Sequence, residues 1–344
     1  MSSRTLPRNA LAKPRPRRAA PAPRPAHPWW PWIKRGLTLL FFVAVGVLLL
    51  RYARNVDWDD VWGSVVNTPM PTLLAAAGLA AASHLLYSCF DLVGRHYTGH
   101  ELPAPTVMGV NFVSYAFNLC IGSLVGGVAF RYRLYSRLGL GRGVITRIVS
   151  MSMLTNWLGY TLLAGLLFVL RPLELPPSWN MGNHGIQWVG GAMVLAAVAY
   201  VVACVRLGDH VWTVRGHELY LPPWRVALLQ LAMSCLNWSL MGGIVYLLLQ
   251  ERVPYPDVLS VLLIGAIAGV IAHVPAGLGV FEFVFVALLS HVVSEGRLIA
   301  ALLGYRAIYY IAPLMAASLV YLVMEVHARK LAMKSPKSAM EGKT

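Results

Sequence analysis

Charge is what this sequence has least of. Of 344 residues only 14 are Asp or Glu, and charged residues of both signs make up 12% against 57% apolar residues. A water-soluble domain carries about 25% charged residues, so two soluble domains, which the length would allow, are excluded. A mean hydropathy of +0.60 points instead to a polytopic membrane protein. Cysteine is nearly as scarce. Cys89, Cys120, Cys204 and Cys235 are spread through apolar stretches, without the close pair spacings of metal sites, and read as small buried hydrophobes. Enzymatic signatures are missing too: there is no phosphate-binding loop, no HExxH, no Gly-x-Ser-x-Gly elbow and no aspartate-rich prenyl- or phosphatidyl-transfer pattern. No catalytic residue, cofactor or metal site is therefore expected.

The basic charge that is present has a location. The formal net charge is +15, yet residues 1–35 hold nine Lys/Arg and no acid, and residues 325–344 hold five Lys/Arg against two Glu. The tails thus supply twelve of the fifteen charges. Basic residues interleaved with aromatics over a folded surface are absent, which excludes a nucleic-acid partner. Residues 1–33 are rich in proline and lack apolar periodicity, so they are expected to form a disordered basic tail. Trp29, Trp30, Trp32, Lys34 and Arg35 then mark an interfacial anchor. The long charged region and the lack of a small-residue cleavage site argue against a removable signal. The integral membrane domain is expected over 34–327, with a basic tail at 328–344.

A spanning helix needs about 20 residues. Six segments approach or exceed that length: 36–50, 72–92, 148–170, 186–205, 226–249 and 298–323. Three others, 105–121, 257–272 and 280–293, are short and adjoin glycine clusters, as half-helices of re-entrant hairpins do. Six spans with hairpins at 105–140 and 257–293, starting inside, put 23 of the 29 basic residues on the cytoplasmic side and five on the other, with Arg306 inside a span. That bias predicts both termini in the cytoplasm. The same layout reads span, span, hairpin, span twice over, starting from opposite sides. It predicts an inverted repeat, supported by the small-residue pairs Gly122/Gly126 and Gly265/Gly269, although such pairs also serve ordinary helix packing. The fold class expected is thus all-α and polytopic, with about six full spans and two re-entrant helical hairpins.

Two turns carry the chemistry. In the first, Gly126 and Gly127 precede a restarting helix whose early turns hold Arg131 and Arg133. Glycine lets a backbone approach a ligand closely, and a helix start directs unpaired N–H groups at an anion. Arg131 and Arg133 could add bidentate contacts to a lipid phosphate; the alternative is that they snorkel to headgroups and set topology. In the second turn, Pro275 ends the incoming helix, Gly277 and Gly279 make the bend, and Glu282 falls in the first turn of the outgoing helix. Arg306, within an apolar span, is the most deeply placed cation. Pairing it with Glu282 would offset two desolvation costs, and either group could instead meet a headgroup or a proton. His84, Asp91, Asn118, Asn156 and Asn237 read as interhelical hydrogen-bonding groups.

Four stretches together resemble the transmembrane-region family of lysylphosphatidylglycerol synthases: Val56-Asp57-Trp58, Gly126-Gly127 through Arg137, Pro275-Ala276-Gly277-Leu278-Gly279 with Glu282, and Tyr305-Arg306 with Tyr309-Tyr310. The resemblance covers about residues 34–330. It implies a flippase-like, lipid-handling fold in a bacterial inner membrane, with phospholipids as partners. Larger members of the family carry a soluble aminoacyltransferase domain after this region, and only about 20 residues follow the last span here, so synthase activity is not expected. The second turn reads Pro-Ala-Gly where many relatives have Pro-Gly-Gly. The resemblance does not supply the substrate. The function expected is therefore binding or translocation of an anionic phospholipid; the alternatives are an ion-coupled small-solute transporter and a non-transporting regulator of a lipid-synthesis enzyme.

Overall fold

The computed structural model describes residues 58–171, 183–207, 211–214 and 217–338. The chain divides into Met1–Asn55 and Val56–Thr344, and the described residues belong to the second part. The basic N-terminal tail, the tryptophan anchor, the span 36–50, Val56-Asp57 and the end of the C-terminal tail lie outside them.

Among the described residues, twelve α-helices carry the fold: α1 (Trp58–Val66), α2 (Met70–Ser88), α3 (Phe90–Thr98), α4 (Ala104–Ile121), α5 (Phe130–Arg137), α6 (Arg142–Leu170), α7 (Asn183–Leu207), α8 (Trp224–Leu248), α9 (Tyr255–Ala272), α10 (Val280–Leu289), α11 (Glu295–Arg306) and α12 (Ala312–Ser338). One short antiparallel hairpin, Val211–Val214 with His217–Tyr220, stands between α7 and α8. Two π-helical segments interrupt the pattern, Ser123–Ala129 between α4 and α5 and Ala307–Ile311 between α11 and α12. Proline opens several helices: Pro105 in α4 and Pro256 in α9 stand where their missing N–H leaves no bond unmade.

Among the described residues, seven helical stretches are long and apolar enough to cross a membrane: Met70–Thr98, Ala104–Ile121, Arg142–Leu170, Gly185–Leu207, Trp224–Leu248, Tyr255–Ala272 and Glu295–Val326. Each coincides with a segment expected from sequence, the end of 226–249 alone extending one residue past its helix. Two of them, Ala104–Ile121 and Tyr255–Ala272, expected at 105–121 and 257–272 as limbs of hairpins, are 18 residues each and meet the same length and composition standard as the other spans. Large apolar side chains face outward, among them Trp188, Leu195 and Leu74. On a soluble protein these would form a patch needing a partner; on a membrane protein, lipid covers them.

The chain reverses after α4 and again after α9, as the glycine clusters imply. At the first reversal, a Cβ on Gly126 would sit inside the backbone of Phe117 and Asn118, so the returning segment touches α4 main chain to main chain. At the second, Gly265 lies under the Phe281 ring and Gly269 faces the Cα of Gly277. Buried residues of α4, α5 and α6, including Val107, Val110, Tyr135, Ile145 and Ile148, form one apolar core with Ala317 of α12. The last helix is bound to the first reversal: Arg137 pairs with Glu325, and the Arg133 guanidinium lies over the Tyr321 ring. Of the cysteines, Cys204 is buried and the other three are half-buried.

Candidate functional site

At each reversal an arginine, on the returning limb in the first and on the neighbouring span in the second, binds backbone carbonyl oxygen of the turn and an acid. In the first, Arg131 stands four residues after Gly127 and donates from Nη1 to its carbonyl at 2.8 Å. Its Nε meets Asp91 Oδ2 of α3 at 3.0 Å. Its Nη2 reaches Asn111 Oδ1 of α4 and, at 3.3 Å, Ser152 Oγ of α6. Tyr135, one helical turn further on, donates to the same Asp91 oxygen at 2.9 Å. Burial first, and the Asp91 carboxylate second, raise the Tyr135 hydroxyl far above the ordinary tyrosine range, so it stays a donor. Asn111 is itself oriented by donating to the Tyr87 carbonyl at 2.7 Å. The node is sealed, with side chains 4% and 0% exposed for Arg131 and Asp91.

The second node is built alike but stands more open. The chain leaves α9 through His273 in a left-handed conformation, φ 54°, and Ala276, Gly277 and Gly279 follow at φ 56°, 59° and 78°. Gly279 then caps α10: its N–H donates to Glu282 Oε2 at 2.8 Å, the backward reach of an acid in the third helical position. The other Glu282 oxygen accepts from Arg306 Nε. Arg306 also donates to the Ala276 carbonyl at 3.2 Å and the Gly277 carbonyl at 3.4 Å, and lies over the Tyr310 ring at 5.4 Å. Glu282 and Arg306 side chains are 14% and 12% exposed.

Between the nodes runs a buried polar and aromatic core. Tyr309, in the π-segment directly after Arg306, shares hydrogen bonds with Ser83 at 2.8 Å and Tyr115 at 2.9 Å, and Ser83 donates to Asn237 Oδ1 at 2.8 Å. His84 packs on Tyr309, ring centroids 4.6 Å apart. Its Nδ1 faces the Ala80 carbonyl at 3.0 Å, which makes Nδ1 the protonated nitrogen and leaves Nε2 a buried acceptor without a partner among the described residues. His84 also lines a groove of about 710 Å³ whose walls come from α2, α4 and the π-segment with α12, among them Ser88, Phe112, Ile308 and Ala316. Leu85 on its rim is 62% exposed, so the groove opens at the side of the molecule.

Of the residues singled out from sequence, Gly126, Gly127 and Arg131 meet in the first node, and Gly277, Gly279, Glu282 and Arg306 in the second; Pro275 opens the second turn. Arg133 belongs to neither and lies exposed against Tyr321. The guanidinium of Arg131, read from sequence as reaching a lipid phosphate or snorkelling to headgroups, is engaged by four protein acceptors. Sequence reasoning missed Asp91 as its partner, along with Asn111, Ser152 and the Ser83–Tyr309–Tyr115 group. The signal for Asp91 was there: it is a lone acid inside an apolar span, and such an acid requires a cation.

Seven apolar helices, two arginine-clamped reversals and a groove open at the side define a multi-pass membrane protein. The profile of the lysylphosphatidylglycerol synthase TM region matches residues 37–317. The chain belongs to that family. It is 47% identical to the inner membrane protein YbhN of Escherichia coli over 90% of this chain and 98% of that one, and 30% identical to the protein slr0712 of Synechocystis over 86% and 93%. It is also 23% identical to the phosphatidylglycerol lysyltransferase of Staphylococcus haemolyticus, over 81% of this chain but 32% of that enzyme.

Proposed function

We propose that this protein binds an anionic phospholipid and carries it between the leaflets of a bacterial inner membrane, without catalysing a reaction. The observation that carries the reading is the groove: about 710 Å³, apolar, open at the side between apolar helices, and ending at the π-segment that follows Arg306. That volume falls within the roughly 300–1,000 Å³ of small-molecule sites. An acyl chain would occupy the groove while its headgroup phosphate competes with Glu282 and the turn carbonyls for Arg306. Phosphate offers a guanidinium the same bidentate geometry as carboxylate, so the exchange of partners costs little in hydrogen bonds. A lateral opening favours lipid over a small aqueous solute. Arg131 then serves as the support of the first turn, and the exposed Arg133 as the headgroup contact on that side.

The name of the Escherichia coli relative supports the location, and that of the lysyltransferases supports phosphatidylglycerol as the substrate class. In this reading the two reversals are re-entrant, the halves form an inverted repeat, and both termini are cytoplasmic. Energy would be passive or ion-coupled, since no nucleotide motif is present. The test is fluorescent phosphatidylglycerol in reconstituted vesicles, with loss of outer-leaflet signal to a membrane-impermeant quencher. Protein is expected to accelerate exchange between leaflets, and Arg306→Gln to slow it about tenfold, the worth of one charge-assisted contact. Exchange no faster than in protein-free vesicles, across anionic phospholipids, would overturn the proposal.

A further inference from the structure

A second concavity, of about 350 Å³, lies at the other end of α11 from the groove and is polar where the groove is apolar. Its lining includes Asp59 of α1, Asn67 in the turn after it, Gln250 and Arg252 in the loop after α8, and Arg297 in the first turn of α11. Two guanidiniums against one carboxylate leave these walls net positive. Leu248, Leu249, Ala300 and Ala301 also line it and are each at most 7% exposed, so the charges stand against a low-dielectric wall that focuses their field. Arg252 is delivered by an unusual turn. Gln250 and Glu251 are both left-handed, at φ 53° and 59°, although neither is glycine. Their N–H groups close the end of α8 on the Leu247 and Tyr246 carbonyls, and Val253, 1% exposed, anchors the far side. Such conformations persist only where the surroundings determine them.

We propose that this pocket binds a phosphate group through Arg252 and Arg297, and is the site where a headgroup rests at the face of the membrane opposite the groove. The inference rests on the lipid-handling reading and deepens it. Along α11 the order is Arg297, Ala300 and Ala301 in the pocket, Arg306 in the second node, then the π-segment and α12 in the groove. Arg297 and Arg306 are nine residues apart, about 14 Å along a helix axis, a step that one headgroup can take between cations. Planar guanidiniums suit phosphate, and two of them in one pocket exceed what a headgroup-snorkelling arginine needs. A charge contributed by the opposite face was to be expected from topology; its convergence with a second arginine in one cavity was not.

Hydrogen–deuterium exchange of the full chain in nanodiscs tests this locally. Discs of neutral digalactosyldiacylglycerol, which carries no phosphate, are compared with discs containing phosphatidylglycerol, and with neutral discs given sn-glycerol 3-phosphate in solution. Amides of 248–253 and 295–301 are expected to exchange about tenfold more slowly with phosphatidylglycerol. That protection should vanish in the Arg252→Gln/Arg297→Gln variant and survive in part in Arg252→Lys/Arg297→Lys, which keeps the charge and reports on folding. Equal protection by glycerol phosphate in neutral discs would support the phosphate site with a soluble source. Protection that neither phosphate source produces, or that the double Gln variant keeps, would overturn it. Leaflet exchange that persists without protection would sink the pocket alone, and protection without leaflet exchange would sink only the transport reading.

Discussion

The two arginine nodes answer one structural problem with opposite placements of charge. In the first, the arginine sits on the returning limb of the reversal and the acid, Asp91, on a neighbouring span; in the second, the acid, Glu282, sits on the returning limb and the arginine on the neighbouring span. Both arginines bind carbonyls of the turn, Gly127 in one case and Ala276 with Gly277 in the other. Turn carbonyls within a membrane protein need donors, since lipid supplies none. The difference lies in closure. Arg131 has four protein partners and no outlet, whereas the Glu282–Arg306 pair is reached from outside; a π-segment adjoins each node and does not separate them. The sealed node reads as architecture and the open one as the place where something can be exchanged.

Breaking the sealed node is expected to have the largest effect. Arg131→Ala leaves the Asp91 charge buried without its counter-ion, with only the Tyr135 hydroxyl still donating to it, and should lower stability by about 3–5 kcal/mol. Unfolding followed in detergent or nanodiscs measures it, and a smaller loss than that of Arg306→Ala would reverse the comparison. Next comes the open node. Arg306→Ala is expected to cost about 1–3 kcal/mol, since its partners can be partly solvated. The charge-exchanged double variant Glu282→Arg/Arg306→Glu should not recover that stability, because the carboxylate now standing on α11 would face the Ala276 and Gly277 carbonyls. Full recovery would show that the ion pair, and not the carbonyl clamp, is what matters. The smallest effect sharpens the turn itself. Ala276 holds φ 56° with a Cβ, a conformation costing roughly 1–2 kcal/mol. Ala276→Gly relieves it and adds unfolded-state entropy, so a net gain of about 0.5–1 kcal/mol is expected in the same unfolding experiment.

Much of this was legible in the residues. Every crossing helix coincides with a segment read from hydropathy, and Gly126, Gly277 and Gly279 mark the reversals because close approach and positive φ admit little else. Glu282 with Arg306 could be guessed as a pair, since each is a costly charge with few possible partners. Ala104–Ile121 and Tyr255–Ala272 fall within two residues of the expected 105–121 and 257–272, because the glycines at their ends mark where each helix stops. Arg131 pointed toward lipid in the sequence reading because its neighbours in the chain, Phe130 and Tyr132, say nothing of Asp91, forty residues away.

Sequence by itself determined the class of molecule, the crossing segments, the two reversals and the concentration of basic charge in the tails. Those properties follow from composition and from short-range geometry: apolar length against bilayer thickness, and the conformations only small residues tolerate. Tertiary structure decided which charges meet, which are sealed, and where cavities form. The rotation of each helix about its axis brings Asp91, Asn111, Arg131 and Ser152 to one point and leaves Arg252 and Arg297 in another. In helices apolar around their whole circumference no amphipathic stripe encodes that rotation; it is set by packing between residues far apart in the chain.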